Sequence, residues 1–200
     1  IDQLPDEIRQ GHATGTDMTI DPDGEHNWGF TAQATSLHSD MPVPRGKITG
    51  GTSAINGQVY LRAIPEDFDS WVEAGNDEWS YEKVLPYMNK LENDLDIVDQ
   101  YHGNEGPIIV RRYKPDELVD DQAAFIKAVT DAGFTNTADH NHPASSGVGP
   151  LPLNNPNGVR WSTALGYLTM SRDRPNLTIS ADSHTTRVLI EDKKAVGIEY

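Results

Sequence analysis

The segment Pro44-Arg-Gly-Lys-Ile-Thr-Gly-Gly-Thr-Ser-Ala-Ile-Asn-Gly57 constrains this chain more than any other. Four glycines in so short a span let the main chain turn tightly and approach a ligand closely, because glycine has no Cβ to clash. Thr52 and Ser53 add hydroxyls beside the paired Gly50 and Gly51. Successive N–H groups there, at a helix N-terminus after Gly51, would suit a phosphate or an electron-rich ring edge. The segment is not a P-loop, since no Gly-Lys-Ser/Thr ends it, and it is not a Gly-x-Gly-x-x-Gly fingerprint. From these residues alone a tight glycine turn before a helix explains the pattern as well as a ligand loop does.

The rest of the chain alternates helical and extended patterns. One helix is expected near Pro65–Ala74, with Phe68, Trp71 and Val72 on one face and Gly75 as its stop. A second starts at Ser80 as N-cap and buries Val84, Leu85, Met88 and Leu91. The third runs from about Glu117, with Val119, Ala123, Ile126 and Val129 on one stripe, to Gly133. A shorter helix follows Ser162 through Leu168. Strands are expected at Ile108–Arg112, Leu177–Ser180, Thr185–Ile190 and Ala195–Tyr200, the last two joined through Glu191–Lys194 as a hairpin. A Pro/Gly/Asn-rich stretch between Asp139 and Arg160 is too long for a simple connector. Residues 1–27 read as irregular chain. A chain ending on the outer strand of a hairpin leaves an uncovered edge, so a piece of a longer protein is expected.

Charge and composition narrow the partners. Sixteen Lys and Arg against 31 Asp and Glu leave a net charge of −15. Such a field repels phosphate backbones and anionic membranes, so no nucleic-acid or membrane partner is expected. No run approaches the roughly 18 apolar residues of a membrane helix, and no signal-peptide pattern is visible. Localisation is not fixed by these features, with a cytoplasmic setting favoured. The lack of cysteine removes disulfides, thiolate zinc sites and cysteine nucleophiles.

Other chemistry-bearing residues fall short of a constellation. His140 and His142 lie two apart beside Asp139, but no third ligand is near in sequence, so no metal site is expected. His102, in His-Gly-x-x-Gly-Pro, reads as a turn or interface residue. Asp94, Asp96 and Asp99, like Asp116, Glu117, Asp120 and Asp121, lack the glycine and closing Glu of a calcium loop and read as solvated faces. Arg160 and Ser162 suit substrate contact, or equally a salt-bridged Arg and an N-cap Ser.

Gly46-Lys47, Gly50-Gly51-Thr52-Ser53, Ile55-Asn56, Tyr60, Ala63 and Asp69 resemble the first signature of the glucose–methanol–choline (GMC) oxidoreductases, FAD-dependent enzymes acting mostly on alcohols. Thr49 departs from the pattern, standing where an aliphatic residue is usual. Similarity continues through Trp28-Gly-Phe30, Phe68–Trp71, Trp79–Tyr87, Tyr101–Pro107, Gly158–Leu168, Asn176–Thr178, Thr186–Val188 and Ala195–Gly197.

The resemblance implies an α+β (α/β) piece holding part of a Rossmann-like FAD-binding domain and part of a substrate-cap domain with antiparallel sheet. Residues 1–102 would belong to the former, 103–168 to the cap, and 169–200 to the FAD-binding domain again. It implies flavin contacts at Gly50, Gly51, Ser53, Ala54, Ile55, Asn56 and Gly57, with Thr185 near the adenine. Where some members attach flavin through a histidine, this chain has Ile55, so the FAD is expected to be non-covalent. The family's Rossmann glycine motif and catalytic histidine have no counterpart here; no residue of this chain is assigned a catalytic role, and segments beyond it would complete the enzyme. The implied reaction is oxidation of a small-molecule alcohol to a carbonyl by hydride transfer to flavin N5. Two rivals remain: a hydroxynitrile lyase of the same fold, and an acidic binding module without cofactor.

Overall fold

A computed structural model describes Asp21 and residues 23–200. The expected irregular chain at 1–27 therefore lies mostly outside the described residues. The chain divides into two compact units, residues 1–169 and 170–200, and its make-up is mixed α+β.

The first unit opens with a two-residue ladder, β1 (Thr31–Ala32) antiparallel to β2 (Met41–Pro42). Helix α1 spans Pro65–Glu73. Pro65 sits at its first turn, where a missing N–H costs nothing, and the Asp67 carboxylate accepts the Ile64 N–H at 3.1 Å. Gly75, at φ 91°, turns the chain out of the helix. Helix α2 spans Tyr81–Leu91, with Ser80 as extended N-cap residue. The two helices pack through aromatic edges: Phe68 meets Trp71 at 5.7 Å and Tyr81 at 6.0 Å, and Trp71 meets Trp79 at 5.4 Å, each ring pair near T-shaped. Phe68 and Tyr81 are the buried members, whereas Leu91 is exposed, contrary to its expected inward place.

Helix α2 runs directly into strand β3 (Glu92–Asp94), which pairs in parallel with β4 (Ile108–Val110) in the register Glu92↔Ile108, Asn93↔Ile109, Asp94↔Val110. Val110 is fully buried. Between the strands, Gly103 and Gly106 pass against the main chain of Asn89 and Glu92, where a Cβ would collide. Helix α3 spans Asp120–Asp131, starting three residues later than expected because Pro115–Glu117 forms a separate 3-10 turn. Asp120 and Asp121 favour its N-terminal turn through the helix dipole. Val119, expected on the apolar stripe, is its exposed N-cap residue. The helix expected after Ser162 is a π-helix, Ala164–Leu168, with Ala164 and Gly166 buried.

In the second unit, β5 (Arg187–Glu191) and β6 (Lys194–Glu199) form an antiparallel hairpin with an irregularity between Leu189 and Ile190. Asp192 and Lys193, both at positive φ, make the two-residue turn whose twist matches that of the strands. Residues 177–180 form no strand; a turn at Arg174–Leu177 takes their start instead.

Candidate functional site

The paired glycines sit at a tight bend of the first unit. Gly50 and Gly51 adopt φ 99° and 57°, a region that only glycine enters without strain. Gly51–Ala54 then closes a 3-10 turn. At Gly50 the packing is close: a Cβ there would sit 3.3 Å from the Ala164 Cβ and 3.4 Å from the Ser162 Oγ. Among the described residues a Cβ at Gly51 or Gly57 would meet nothing within 4 Å. The loop is thus packed behind and open in front.

The packed side is tied to residues more than a hundred positions later. The Ser53 hydroxyl donates to the Gly50 carbonyl at 2.6 Å and accepts the Thr163 N–H at 3.0 Å. The Thr163 hydroxyl lies 3.0 Å from Ser53 Oγ and 3.3 Å from the Gly50 carbonyl. Arg160, almost wholly buried, donates from Nε to the Asn56 carbonyl and from Nη1 to the Ala54 carbonyl, both at 2.9 Å. Arg160, open to reading as a substrate contact or a salt-bridged residue, fastens loop main chain, and desolvation there works against its charge, lowering its pKa. Asn56 turns its side chain back to accept the Gln58 N–H at 3.0 Å. Ala54 and Ile55 are buried.

Gly50, Gly51, Ser53, Ala54, Ile55, Asn56 and Gly57 therefore come together as one braced loop. Thr185 belongs to the other unit, just ahead of β5, where Thr186 donates its N–H to the Glu199 carbonyl at 2.8 Å. Sequence reasoning missed Thr163 as a partner of the loop; a hydroxyl following Arg-Trp-Ser offers no spacing cue by itself.

It also missed a buried charge network around β3 and β4. Arg62 pairs with Glu92, whose Oε2 also accepts the Gly103 N–H at 2.8 Å. Arg112 grips both oxygens of Asp94 at 2.9 and 2.8 Å and Asp139 at 2.9 Å. His102 Nδ1 lies 2.8 Å from Asp99, and its Nε2 lies 3.4 Å from Asp139 and 3.8 Å from Asp94. Burial alone would pull the His102 pKa down, but Asp139 and Asp99 outweigh it and lift the value to about 9. Burial likewise opposes ionisation of Asp139, yet His102, the Asn141 N–H and Arg112 hold its carboxyl well below the usual range. Burial keeps the Glu92 pKa raised. His102 closes a turn with its N–H on the Asp99 carbonyl at 3.4 Å, and its ring is also a buried ion-pair member; Asp94 is buried rather than solvated.

Among the described residues, one group has ligand atoms close enough to hold a metal: Glu92, Asp94 and His102, within 4.8 Å of one another. Arg62 and Arg112 already neutralise those carboxylates, and a protonated imidazole offers no lone pair. The cluster is built as an ion network. Asp139 belongs to that network rather than to a site with His140 and His142; the His140 Nε2 lies 3.2 Å from the Gly149 carbonyl.

A family model described as GMC oxidoreductase matches residues 27–200. A GMC-type oxidoreductase of Rhodococcus erythropolis is 35% identical over 197 residues, covering 98% of this chain and 38% of the relative. An oxygen-dependent choline dehydrogenase of Vibrio vulnificus is 40% identical over 178 residues, covering 88% and 32%. The crystal structure of pyridoxine 4-oxidase from Mesorbium loti superposes with a TM-score of 0.85 at 28% identity, covering 98% of this chain and 38% of that one. An FAD-dependent oxidoreductase from Chaetomium thermophilum shares the fold, with a TM-score of 0.81 at 24% identity over 99% and 35% of the two chains. The chain thus spans about a third of the length of these relatives. Among the described residues no helix is long and apolar enough to cross a membrane.

Proposed function

This chain belongs to the GMC oxidoreductase family, whose cofactor is FAD, and from that membership we propose that its Gly50–Gly57 loop lines the flavin of an enzyme that oxidises an alcohol to a carbonyl. The observation that carries this reading is the two-sided loop. Its back is fastened by Arg160, Ser53 and Thr163, and at its front Gly51 and Gly57 leave open the volume a Cβ would fill. A planar ring can lie against such a main chain, and amide donors suit the electron-rich edge of a flavin.

Bound FAD would supply the hydride acceptor, N5. The residues of this chain would do the rest of the local work. Gly50 and Gly51 would bring the main chain near the ring, Ser53 would hold the bend closed, and Asn56 and Gly57 would carry the loop past it. Ile55 is buried and has no nucleophilic atom, so the flavin would be held without a covalent bond. Thr185 would lie near the adenine. In this reading residues 1–102 and 169–200 contribute to the flavin-binding part and 103–168 to the substrate cap. The proton of the alcohol would go to a base outside this chain. Among its own histidines, His102 is committed to carboxylates, with Nδ1 2.8 Å from Asp99 and Nε2 3.4 Å from Asp139.

The relatives named for choline and pyridoxine suggest a small primary or secondary alcohol as donor. The test is anaerobic titration of the purified protein at its full natural length with choline, with pyridoxine and with simple alcohols. A flavin spectrum with a band near about 450 nm that bleaches with one of them is the expected result. A flavin that stays oxidised with every alcohol would favour lyase chemistry on the same fold. A protein that is colourless and takes up no added FAD would overturn the reading.

A further inference from the structure

We propose that Arg160 and Thr163 are positioning residues that set which face of the Gly50–Gly57 loop is offered to a ligand, and that the group they present is the Gly57 N–H. The inference rests on the flavin reading for the identity of the ligand, but the brace itself is a property of this chain.

In a planar trans peptide the C=O and N–H point in opposite directions. Three carbonyls of the loop are turned toward the later segment: Gly50 to Ser53 and Thr163, and Ala54 and Asn56 to Arg160. The N–H of each of those peptides must point the other way. The Gly51 N–H is used by the Ile48 carbonyl at 2.8 Å, and the Ile55 N–H by the Thr52 carbonyl at 3.1 Å. Among the described residues the Gly57 N–H alone of the three meets no acceptor, and Gly57 is itself exposed. One buried guanidinium therefore fixes the direction of one exposed donor. Arg160 suits this task because its fork spans two carbonyls two residues apart, which the single ammonium of a lysine would not span.

Thr163 locks the other end of the loop. It leads into the π-helix Ala164–Leu168, a geometry that recurs at functional sites. Its N–H and hydroxyl together engage Ser53 and Gly50. Thr163 is itself exposed, so its side chain can be changed without opening the core.

The test uses Thr163→Val, Thr163→Ser and Arg160→Gln in the protein at its full natural length. Folding is followed by thermal midpoint, and loop position by hydrogen exchange of residues 50–58. Ligand readouts are FAD affinity in apoprotein titrations and the fine structure of the visible band. Losing one such hydrogen bond should weaken FAD about two- to tenfold in Thr163→Val. Exchange in the loop should accelerate about tenfold while other segments keep their rates. Thr163→Ser should restore both readouts, and Arg160→Gln should exceed Thr163→Val in both. Folded variants with wild-type exchange in the loop would overturn the brace. Should Arg160→Gln not fold, the Thr163 pair decides the matter. Should the wild-type protein take up no FAD, the flavin reading fails while loop exchange still decides the brace.

Discussion

A methyl group at Gly46 would have nowhere to go. Its Cβ would lie 2.3 Å from the Gly51 carbonyl oxygen and 2.9 Å from the Thr52 nitrogen, main-chain atoms that cannot swing aside as a flexible side chain can. At Gly57 the same methyl meets nothing within 4 Å, and the residue has no positive φ to forbid it. The two substitutions should therefore separate folding from binding. Gly46→Ala is expected to cost about 2–4 kcal/mol of stability, read as a lower denaturation midpoint. Gly57→Ala should leave that midpoint within about 0.5 kcal/mol, yet weaken FAD roughly tenfold or more by filling the face on which the ring would lie. Equal FAD affinity in Gly57→Ala and wild type would count against a flavin on that face. The distinction between these glycines was not readable beforehand. Composition marks all four as permissive, but only packing tells which is needed for closeness within the chain and which leaves space outside it.

Helices α1 to α3 were legible because each carries its own punctuation: Pro65 and Gly75, Ser80, and Gly133. The ion network was not, because Arg62, Glu92, His102, Arg112 and Asp139 come from separate segments, each polar enough to read as solvent-facing. The parallel pairing of β3 with β4 sets Glu92 and Asp94 beside the segment leading to Arg112, and Arg62, His102 and Asp139 reach them from loops. Removing one member leaves an uncompensated buried charge, which costs more than the pair contributes when intact. Arg62→Ala should therefore destabilise by about 3–5 kcal/mol in denaturant unfolding. The same element predicts an asymmetric pH profile. His102 has a folded pKa above its ordinary 6.5, so its contribution is complete below that value and lost as pH rises through about 9. Asp139 has a depressed pKa, so its contribution is present above its ordinary 3.8 and lost as pH falls further. Stability should be highest between these limits. His102→Asn should flatten the alkaline decline between pH 6.5 and 9 and also make the acid limb shallower, because His102 is the first of the groups that hold the Asp139 carboxyl down; an unchanged alkaline limb in that variant would contradict the assignment.

Over the whole chain, like charges outnumber the pairs that could absorb them. Sixteen basic against 31 acidic side chains leave −15, and several basic groups are already committed to carboxylates: Arg62, Arg112, Lys114 and Arg111 in the first unit, and Arg187 in the second. The excess is acidic, and among the described residues most Asp and Glu outside these pairs are exposed. Its mutual repulsion acts over about 30 Å at 0.01 M salt and about 8 Å at 0.15 M. Added salt should therefore relieve a long-range cost, while the buried pairs of Arg62 and Arg112 are screened much less. Surface pairs such as Lys83–Glu78 and Lys127–Asp131 pull the other way, but exposed pairs contribute only about 0–1 kcal/mol each. The repulsion is the larger effect, so the thermal midpoint should rise by several degrees between about 0.01 and 0.3 M sodium chloride, with neutral osmolyte as the control for non-ionic effects. A falling midpoint would mean that surface ion pairs, not the excess of carboxylates, govern the electrostatics of the fold.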